Sequence, residues 1–189
     1  MGAHAPLLAE ALGQLGALGV RHLGTLGGNV AWRWGDSTPA LLVLDAQAEC
    51  APAPGVPLPL AQLLALPESE WPLVLALHIP LQPGRARLHA VFEKAAVRAA
   101  FAPARLRLAL RWTDGRLSHA ACAASDLPAR LLVQACAWLR QYPDLRGAGA
   151  LEGLRQACAD DGLPRDHPED LAHLAARLMA GHCGRLAPA

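Results

Sequence analysis

A glycine-rich segment near the N-terminus constrains the fold more than any other part of the sequence. Residues 19–31 read Gly-Val-Arg-His-Leu-Gly-Thr-Leu-Gly-Gly-Asn-Val-Ala, with glycines at positions 24, 27 and 28. Because glycine has no Cβ, the backbone here can turn tightly and can direct consecutive N–H groups at an anion. The segment therefore predicts either a tight structural turn or a cradle for a phosphate group.

Length, composition and charge favour a soluble globular protein. The 189 residues suffice for one domain or two small lobes, and 53% of them are hydrophobic, which is enough for a core. The 17 basic and 16 acidic residues give a formal net charge of +1 and form no basic block, which argues against a nucleic-acid partner. No apolar run reaches the roughly 20 residues that a membrane span needs, and residues 1–20 lack the pattern of a signal peptide. We expect a cytoplasmic protein.

The five cysteines and eight histidines of the sequence do not follow the spacing of a metal site. The cysteines are odd in number, widely spaced and without a C-x-x-C pair, which predicts reduced thiols. His173, His182 and Cys183 come nearest to a ligand cluster, but structural zinc requires four ligands with short paired spacings. We therefore expect no metal in this chain.

Helices are predicted on both sides of the glycine segment. Apolar residues recur at helical spacing over residues 6–15, which begin with a proline suited to a first helical turn. A second helix over residues 39–46 also begins with proline, and either Ser37 or Thr38 can cap it. The glycine segment is thus predicted to lie between helices rather than after a strand.

The second half of the chain is predicted to be an α+β unit. The further elements predicted by pattern are, in chain order, a helix over residues 60–66, strands over 71–80, 90–98, 105–113 and 116–123, and helices over about 127–141, 149–159 and 168–181. Gln82-Pro-Gly-Arg85 marks a boundary, and Asp114-Gly115 is a hairpin signal. Strands followed by helices indicate an antiparallel sheet with helices on one face.

The residue types of the glycine segment leave two interpretations open. The segment is either a structural turn where backbones pass closely, or a site for the pyrophosphate of a nucleotide cofactor. It is not a Walker loop, because no Gly-Lys-Ser/Thr follows, and it is not a G-x-G-x-x-G turn between a strand and a helix. Both standard phosphate motifs are therefore excluded.

The residue order in and after this segment nevertheless matches one known pattern over a long stretch. Residues 20–31, then Asp36, then Pro-Ala-Leu-Leu-Val-Leu-Asp-Ala at 39–46 follow one another at the spacing of that pattern. They resemble the second flavin-binding motif of the FAD-binding subunit of molybdenum hydroxylases, the family of xanthine dehydrogenase and carbon monoxide dehydrogenase medium subunits. Weaker similarity continues through residues 56–80, and Phe92-Glu-Lys-Ala-Ala-Val-Arg98 resembles the strand that opens the family's C-terminal α+β domain. The resemblance covers nearly the whole chain.

The resemblance implies a partial FAD-binding lobe over residues 1–82 and a C-terminal α+β domain over residues 86–189. In the family, the glycine backbone and the Thr and Asn side chains contact the FAD diphosphate and ribityl chain, and the later Asp hydrogen-bonds the cofactor. The cofactor-binding residues implied in this sequence are Thr25, Gly27, Gly28, Asn29 and Asp36. Glycine permits close backbone approach, and Asn and Asp can satisfy ribityl hydroxyls. The alternative for Asp36 is a charge that complements the dipole of the 39–46 helix.

The sequence also differs from the family pattern in several places. It has no counterpart of the N-terminal lobe whose first Gly-rich motif holds the other side of the diphosphate, so we expect half of that cradle to be absent. Trp32-Arg33-Trp34 replaces small residues between Asn29 and Asp36, and these rings either stack on the flavin or occupy its place. A short bridge over residues 66–71 replaces a longer loop, and residues 165–175 lack the Ser and Tyr-Arg of the family.

Catalytic side chains are not expected. The residue types of a catalytic triad are present as Ser118, His119 and Asp126. No nucleophile elbow accompanies them, so we do not expect a triad. Cys122 and Cys136 fall on apolar faces, which predicts core thiols.

Two functions follow from these expectations. The first is a truncated or divergent FAD-binding electron-transfer subunit of a molybdenum hydroxylase complex. By the resemblance, molybdopterin belongs to a large partner subunit and the [2Fe-2S] clusters to a small one, while this chain positions the isoalloxazine. The second is a structural or interaction subunit of the same fold that no longer binds FAD.

Overall fold

The computed structural model describes residues 5–80, 88–96, 104–124, 127–143, 145, 149–165 and 170–186. Within these ranges the chain folds into two antiparallel sheets and the helices that cover them, so the predicted α+β class is confirmed. None of the helices in the described ranges is long and apolar enough to cross a bilayer. The boundary at residues 82–85 lies outside the described part of the chain.

The first sheet and five helices are formed by residues before this boundary. In chain order the elements are α1 (Pro6–Gly13), α2 (Leu18–Leu23), α3 (Leu26–Ala31), α4 (Thr38–Val43), β1 (Gln47–Cys50), β2 (Leu58–Pro59), α5 (Leu60–Ala65), a 3-10 turn (Glu68–Glu70) and β3 (Val74–His78). The strands pair in the order β2-β1-β3. Sequence patterns predict α1, α4, α5 and β3, but β1 and β2 span only four and two residues and are too short to show alternation.

The second sheet has four strands in sequential order, β4-β5-β6-β7. Its strands and the helices after them are β4 (Leu88–Ala96), β5 (Ala104–Thr113), β6 (Arg116–Ala124), β7 (Leu127–Leu131), α6 (Val133–Gln141), α7 (Ala150–Asp160) and α8 (Leu171–Leu186). The predicted hairpin is confirmed, because Asp114 and Gly115 join β5 to β6 with φ of 51° and 77°, as a type I′ turn requires.

The predicted helix over residues 127–141 is wrong at its beginning. Leu127–Leu131 pairs with β6 as the edge strand β7, and the helix begins only at Val133. Pro128 is compatible with this position, because an edge strand leaves one side without ladder hydrogen bonds.

The four-stranded sheet is buried on both faces. Side chains alternate along a strand, so Leu108 and Leu110 of β5 pack in the cluster of the C-terminal helices. Ala109 of β5 and Ala121 of β6 point the other way and pack in the cluster formed with α1, α4 and α5. Helices α6–α8 thus cover one face, as predicted, while the N-terminal helices cover the other.

Candidate functional site

The glycine segment forms the junction between α2 and α3. Thr25 is the N-cap of α3, with φ −106° and ψ 153°, and its Oγ1 accepts a hydrogen bond of 3.0 Å from the N–H of Gly28. Gly27 and Gly28 therefore lie in the first turn of a helix rather than in an open loop. Gly24, Gly27 and Gly28 all have negative φ, so the backbone conformation does not require glycine at these positions.

The absence of a side chain at Gly27 leaves an open surface over this turn. A Cβ placed on Gly27 would meet no atom within 4 Å, whereas a Cβ on Gly28 would lie 3.0 Å from Thr25 Oγ1. The N–H of Gly27 is at the second helical position, where no intrahelical acceptor exists. An anion at this surface would meet first-turn N–H groups and the positive end of α3. Thr25, Gly27 and Gly28 therefore fit the diphosphate of a nucleotide cofactor.

Asn29 ties α3 to the beginning of α4. Its Oδ1 accepts hydrogen bonds from the N–H of Ser37 at 3.0 Å and from Ser37 Oγ at 2.6 Å. The expected cap of α4 is wrong, because the Ser37 hydroxyl bonds Asn29 and Thr38 Oγ1 is buried without a partner among the described residues. A Cβ on Gly35 would overlap the Asn29 backbone oxygen and amide, so this contact requires glycine at 35. Asn29 Oδ1 is thus occupied within the chain.

Asp36 joins the glycine segment to the second sheet. The side chain is buried, with the residue 7% exposed, and its Oδ2 accepts a hydrogen bond of 2.7 Å from Lys94 Nζ on β4. Its Oδ1 accepts from Arg107 Nε on β5, while Lys94 also donates to the carbonyl of Gln14 at the end of α1. Both carboxylate oxygens are therefore used within the chain, by side chains of the second sheet.

Arg107 is the residue of this cluster that sequence reasoning missed. It is 7% exposed, and its Nη1 is buried without a hydrogen-bond partner among the described residues. The signal was present, because Arg107 and Arg111 share the face of β5 on which Ala109 also lies. Charged residues on a buried face are rarely unpaired, so this pattern predicts a carboxylate partner without saying which one.

The tryptophans that flank Arg33 have different environments. Trp32 is 61% exposed, while Trp34 is half-buried and its Nε1 has no partner in the described part of the chain. Arg33, between them, has a backbone φ of 64°. Its Nη2 donates a hydrogen bond of 2.8 Å to the carbonyl of Leu64, and its Cζ lies 4.9 Å from the ring centre of Trp71. Of the two rings, Trp32 is the one accessible to a stacking ligand, and Trp34 is packed within the chain.

A second polar cluster contains His119. Arg111 donates to His119 Nδ1 at 2.6 Å and pairs with Asp45 at 2.8 Å. Because arginine only donates, Nδ1 is the acceptor and the neutral ring carries its proton on Nε2, 3.4 Å from Asp45. Burial, and then the charge of Arg111, lower the pKa of His119. Ser118 Oγ donates to the Arg111 carbonyl at 2.9 Å rather than to the imidazole, and Asp126 lies outside the described residues.

The cysteines on the second sheet and its helices are core thiols, as predicted. Cys122 and Cys136 are buried, and burial raises the pKa of each to about 12. His182 Nε2 lies 3.2 Å from the carboxylate of Glu93. In the part of the chain that the structure describes, no three His, Cys, Asp or Glu side chains are grouped to hold a metal ion.

The fold is similar to that of solved carbon monoxide dehydrogenase chains. Three solved structures match 97% of this chain and are themselves covered over 66% of their length. They are carbon monoxide dehydrogenase from Hydrogenophaga pseudoflava lacking the Mo-pyranopterin moiety of its cofactor (TM-score 0.71, 19% identity), cyanide-inactivated Cu,Mo-CO dehydrogenase (0.66, 19%) and reconstituted CO dehydrogenase from Oligotropha carboxidovorans (0.64, 21%). At these identities the matches establish the fold.

The N-terminal part of the chain matches a protein-family model. Residues 1–82 match the family described as the FAD binding domain in molybdopterin dehydrogenase. The resemblance seen in the glycine segment is thereby confirmed. No curated protein matches the sequence.

Proposed function

We propose that this chain is an FAD-binding electron-transfer component of a molybdenum hydroxylase complex. The observation that carries the proposal is the open surface at Gly27, in the first turn of α3, within a segment of the FAD-binding family. A first helical turn with open space at Gly27 suits the close approach of a diphosphate.

The proposed cofactor residues are Thr25, Gly27, Gly28, Asn29 and Asp36. Thr25 and the first-turn N–H groups hold the diphosphate, and the Asn29 amide donates to the ribityl chain. Asp36 holds the segment against β4 and β5 through Lys94 and Arg107, because its own oxygens are occupied. When bound, FAD supplies the redox chemistry, and this chain supplies binding and orientation.

The proposal extends to the assembly. The partners are a molybdopterin-binding large subunit and a [2Fe-2S] small subunit, and the complex is cytoplasmic. The family of residues 1–82 and the shared fold with carbon monoxide dehydrogenase chains support this assignment.

A structural subunit of the same fold without FAD is the second candidate. It is favoured by the internal use of the polar groups that would otherwise contact the cofactor: Asn29 Oδ1 is occupied by Ser37, and Asp36 is buried. A site whose side chains serve the fold in this way can persist after the ligand is lost.

FAD binding by Gly27→Val separates these candidates. A Cβ at this position meets no atom within 4 Å, so we expect valine to reduce FAD affinity at least tenfold, measured by flavin fluorescence, with little change in melting temperature. Gly28→Val is less suitable because its side chain would crowd the Thr25 cap, which is worth about 1 kcal/mol.

Gly19→Val is the matched control for this experiment. Gly19 lies in α2 and is exposed, and a Cβ placed on it would likewise meet no atom within 4 Å, so the same substitution should leave FAD affinity within twofold. Equal FAD affinity in the wild type and Gly27→Val would refute the proposed site. If the wild type takes up no FAD, alone or co-expressed with the two partner subunits, the structural subunit is the correct assignment.

A further inference from the structure

A cleft of about 310 Å³ opens where α4, α5 and β7 meet. Leu42, Leu64 and Leu131 contribute apolar wall, and Arg33 and Arg130 also line the cleft. None of the five proposed cofactor residues lines it. The cleft is therefore separate from the surface at Gly27, and its volume is at the lower end of the range for small-molecule sites, about 300–1,000 Å³.

Arg33 is fixed beside this cleft by several contacts. Its Nη2 donates to the Leu64 carbonyl at 2.8 Å and to the Leu66 carbonyl, and its guanidinium lies over Trp71. Its backbone has φ 64°, and its own carbonyl accepts from the N–H of Ala129 at 2.9 Å. The Nε atom is buried without a hydrogen-bond partner among the described residues. Arg33 is thus held in a strained conformation with a donor left over.

Arg130 reaches the cleft from β7. Its Nη1 is 3.3 Å from the Asp161 carbonyl and 3.4 Å from the Gly162 carbonyl, at the end of α7. Gly162 has φ 88°, and a Cβ there would overlap the Arg130 guanidinium, so glycine leaves room for this side chain. The Arg130 Nε is also buried without a partner in the described part of the chain.

Among the described residues, the contacts of the two arginines include no carboxylate. Their described contacts are to backbone carbonyls and an aromatic ring, which orient a guanidinium but carry no formal negative charge. The lining contains no acidic side chain. Two guanidinium groups beside apolar walls favour a ligand with an anionic head and an apolar body, because guanidinium pairs with carboxylate or phosphate through geometrically matched hydrogen bonds.

We propose that this cleft is a second binding site, which takes a small organic anion with a carboxylate or phosphate head and a short apolar tail. Arg33 and Arg130 bind the head, and the leucine side chains of the cleft contact the tail.

Calorimetric titration of the full chain with hexanoate and hexyl phosphate tests the site. The controls are 1-hexanol, which has the tail without the anionic head, and inorganic phosphate, which has the head without the tail. At least one of the two organic anions should bind at least tenfold more tightly than either fragment, and the comparison of the two assigns the head group. Equal affinity for 1-hexanol, or no saturable binding of either anion, would overturn the proposal. If excess FAD displaces the organic anion, the cleft belongs to the cofactor site and the proposal of a separate site is wrong.

Variants locate the binding. Arg33→Gln and Arg130→Gln should each lower the affinity for the anion at least tenfold. Arg177→Gln, on the exposed side of α8, should change that affinity less than twofold. Because Arg33→Gln also removes contacts to α5, Ala65→Phe provides a test that keeps both arginines. Ala65 lines the cleft and is exposed, so the added ring should block binding, whereas Gln62→Phe on the same helix, outside the lining, should not. Unchanged affinity in Ala65→Phe would show that the cleft is not the site.

Discussion

Replacing Asp36 by asparagine tests how the glycine segment is held to the second sheet. The substitution keeps the shape of the side chain and removes its negative charge. Lys94 and Arg107 then lose their shared carboxylate, although their side chains are only 17% and 8% exposed. Lys94 can turn its ammonium towards water, but Arg107 has no comparable route, so most of the penalty falls on Arg107.

The expected loss follows from the burial of this pair. Removing one partner of a buried ion pair costs about 3–5 kcal/mol, because the remaining charge stays desolvated. For a chain of this length, each kcal/mol corresponds to about 2–4 °C in melting temperature, so Asp36→Asn should melt about 6–20 °C lower. An exposed pair is worth only about 0–1 kcal/mol. Glu152→Gln, which affects the pairs of a 59% exposed carboxylate with Arg155 and Arg165, is therefore the matched control.

The comparison requires urea unfolding and calorimetry of the wild type and of the single variants Asp36→Asn and Glu152→Gln. The double variant Asp36→Asn/Arg107→Met is measured in the same way. The double variant removes the charges of Asp36 and Arg107 and leaves only Lys94, whose ammonium can turn towards water, so it should recover at least half of the loss. The loss should persist at about 1 M salt, since buried pairs are weakly screened. A melting temperature of Asp36→Asn within about 2 °C of the wild type would refute the reasoning, because burial would then carry no electrostatic penalty here.

Two further substitutions probe the same half of the chain and its contact with the sheet. Gly35→Ala should lower the free energy of unfolding by about 1–3 kcal/mol, because its methyl group overlaps Asn29. Gly27→Ala is the control, because its methyl group lies in open space and should not destabilise the fold. Equal effects of the two substitutions in urea unfolding would contradict the assigned contact. The folded state holds the pKa of His119 below 6.5, so the unfolded chain protonates first, and stability should be complete above about pH 6.5 and decline as the pH falls through that value. His119→Gln should reduce this decline between about pH 7.5 and 5.5 in urea unfolding, and an unchanged pH dependence would show that His119 does not cause it.

Local patterns in the sequence were sufficient for the elements they encode directly. Apolar spacing and proline placement predict α1 and α4, and the Asp114-Gly115 pair predicts the β5–β6 hairpin, because each depends on neighbouring residues. The glycine segment itself is helical at Gly27 and Gly28, although glycine disfavours helices. Packing of Val30, which is completely buried, and the Thr25 cap outweigh that propensity.

Interactions across the chain were not available from local patterns. The partners of Asp36 lie 58 and 71 residues further along, and nothing in the order of residues 19–46 indicates that the carboxylate contacts a sheet. The segment Leu127–Leu131 is equally ambiguous, because five residues at a sheet edge show no clear alternation and only pairing with β6 makes them a strand. The type of cofactor is indicated by the motif, whereas the internal use of its polar side chains required the fold.

The two-sided burial of the β4–β7 sheet predicts that its central strands open only when the fold as a whole opens. β5 and β6 give alternate side chains to both hydrophobic clusters, so removing either helical layer exposes a full face of the same strands to water. Amide protons of β5 and β6 should accordingly exchange with solvent mainly through global unfolding. Through Asp36, the α3–α4 connection is attached to those strands, so its protection against exchange reports the integrity of the whole sheet.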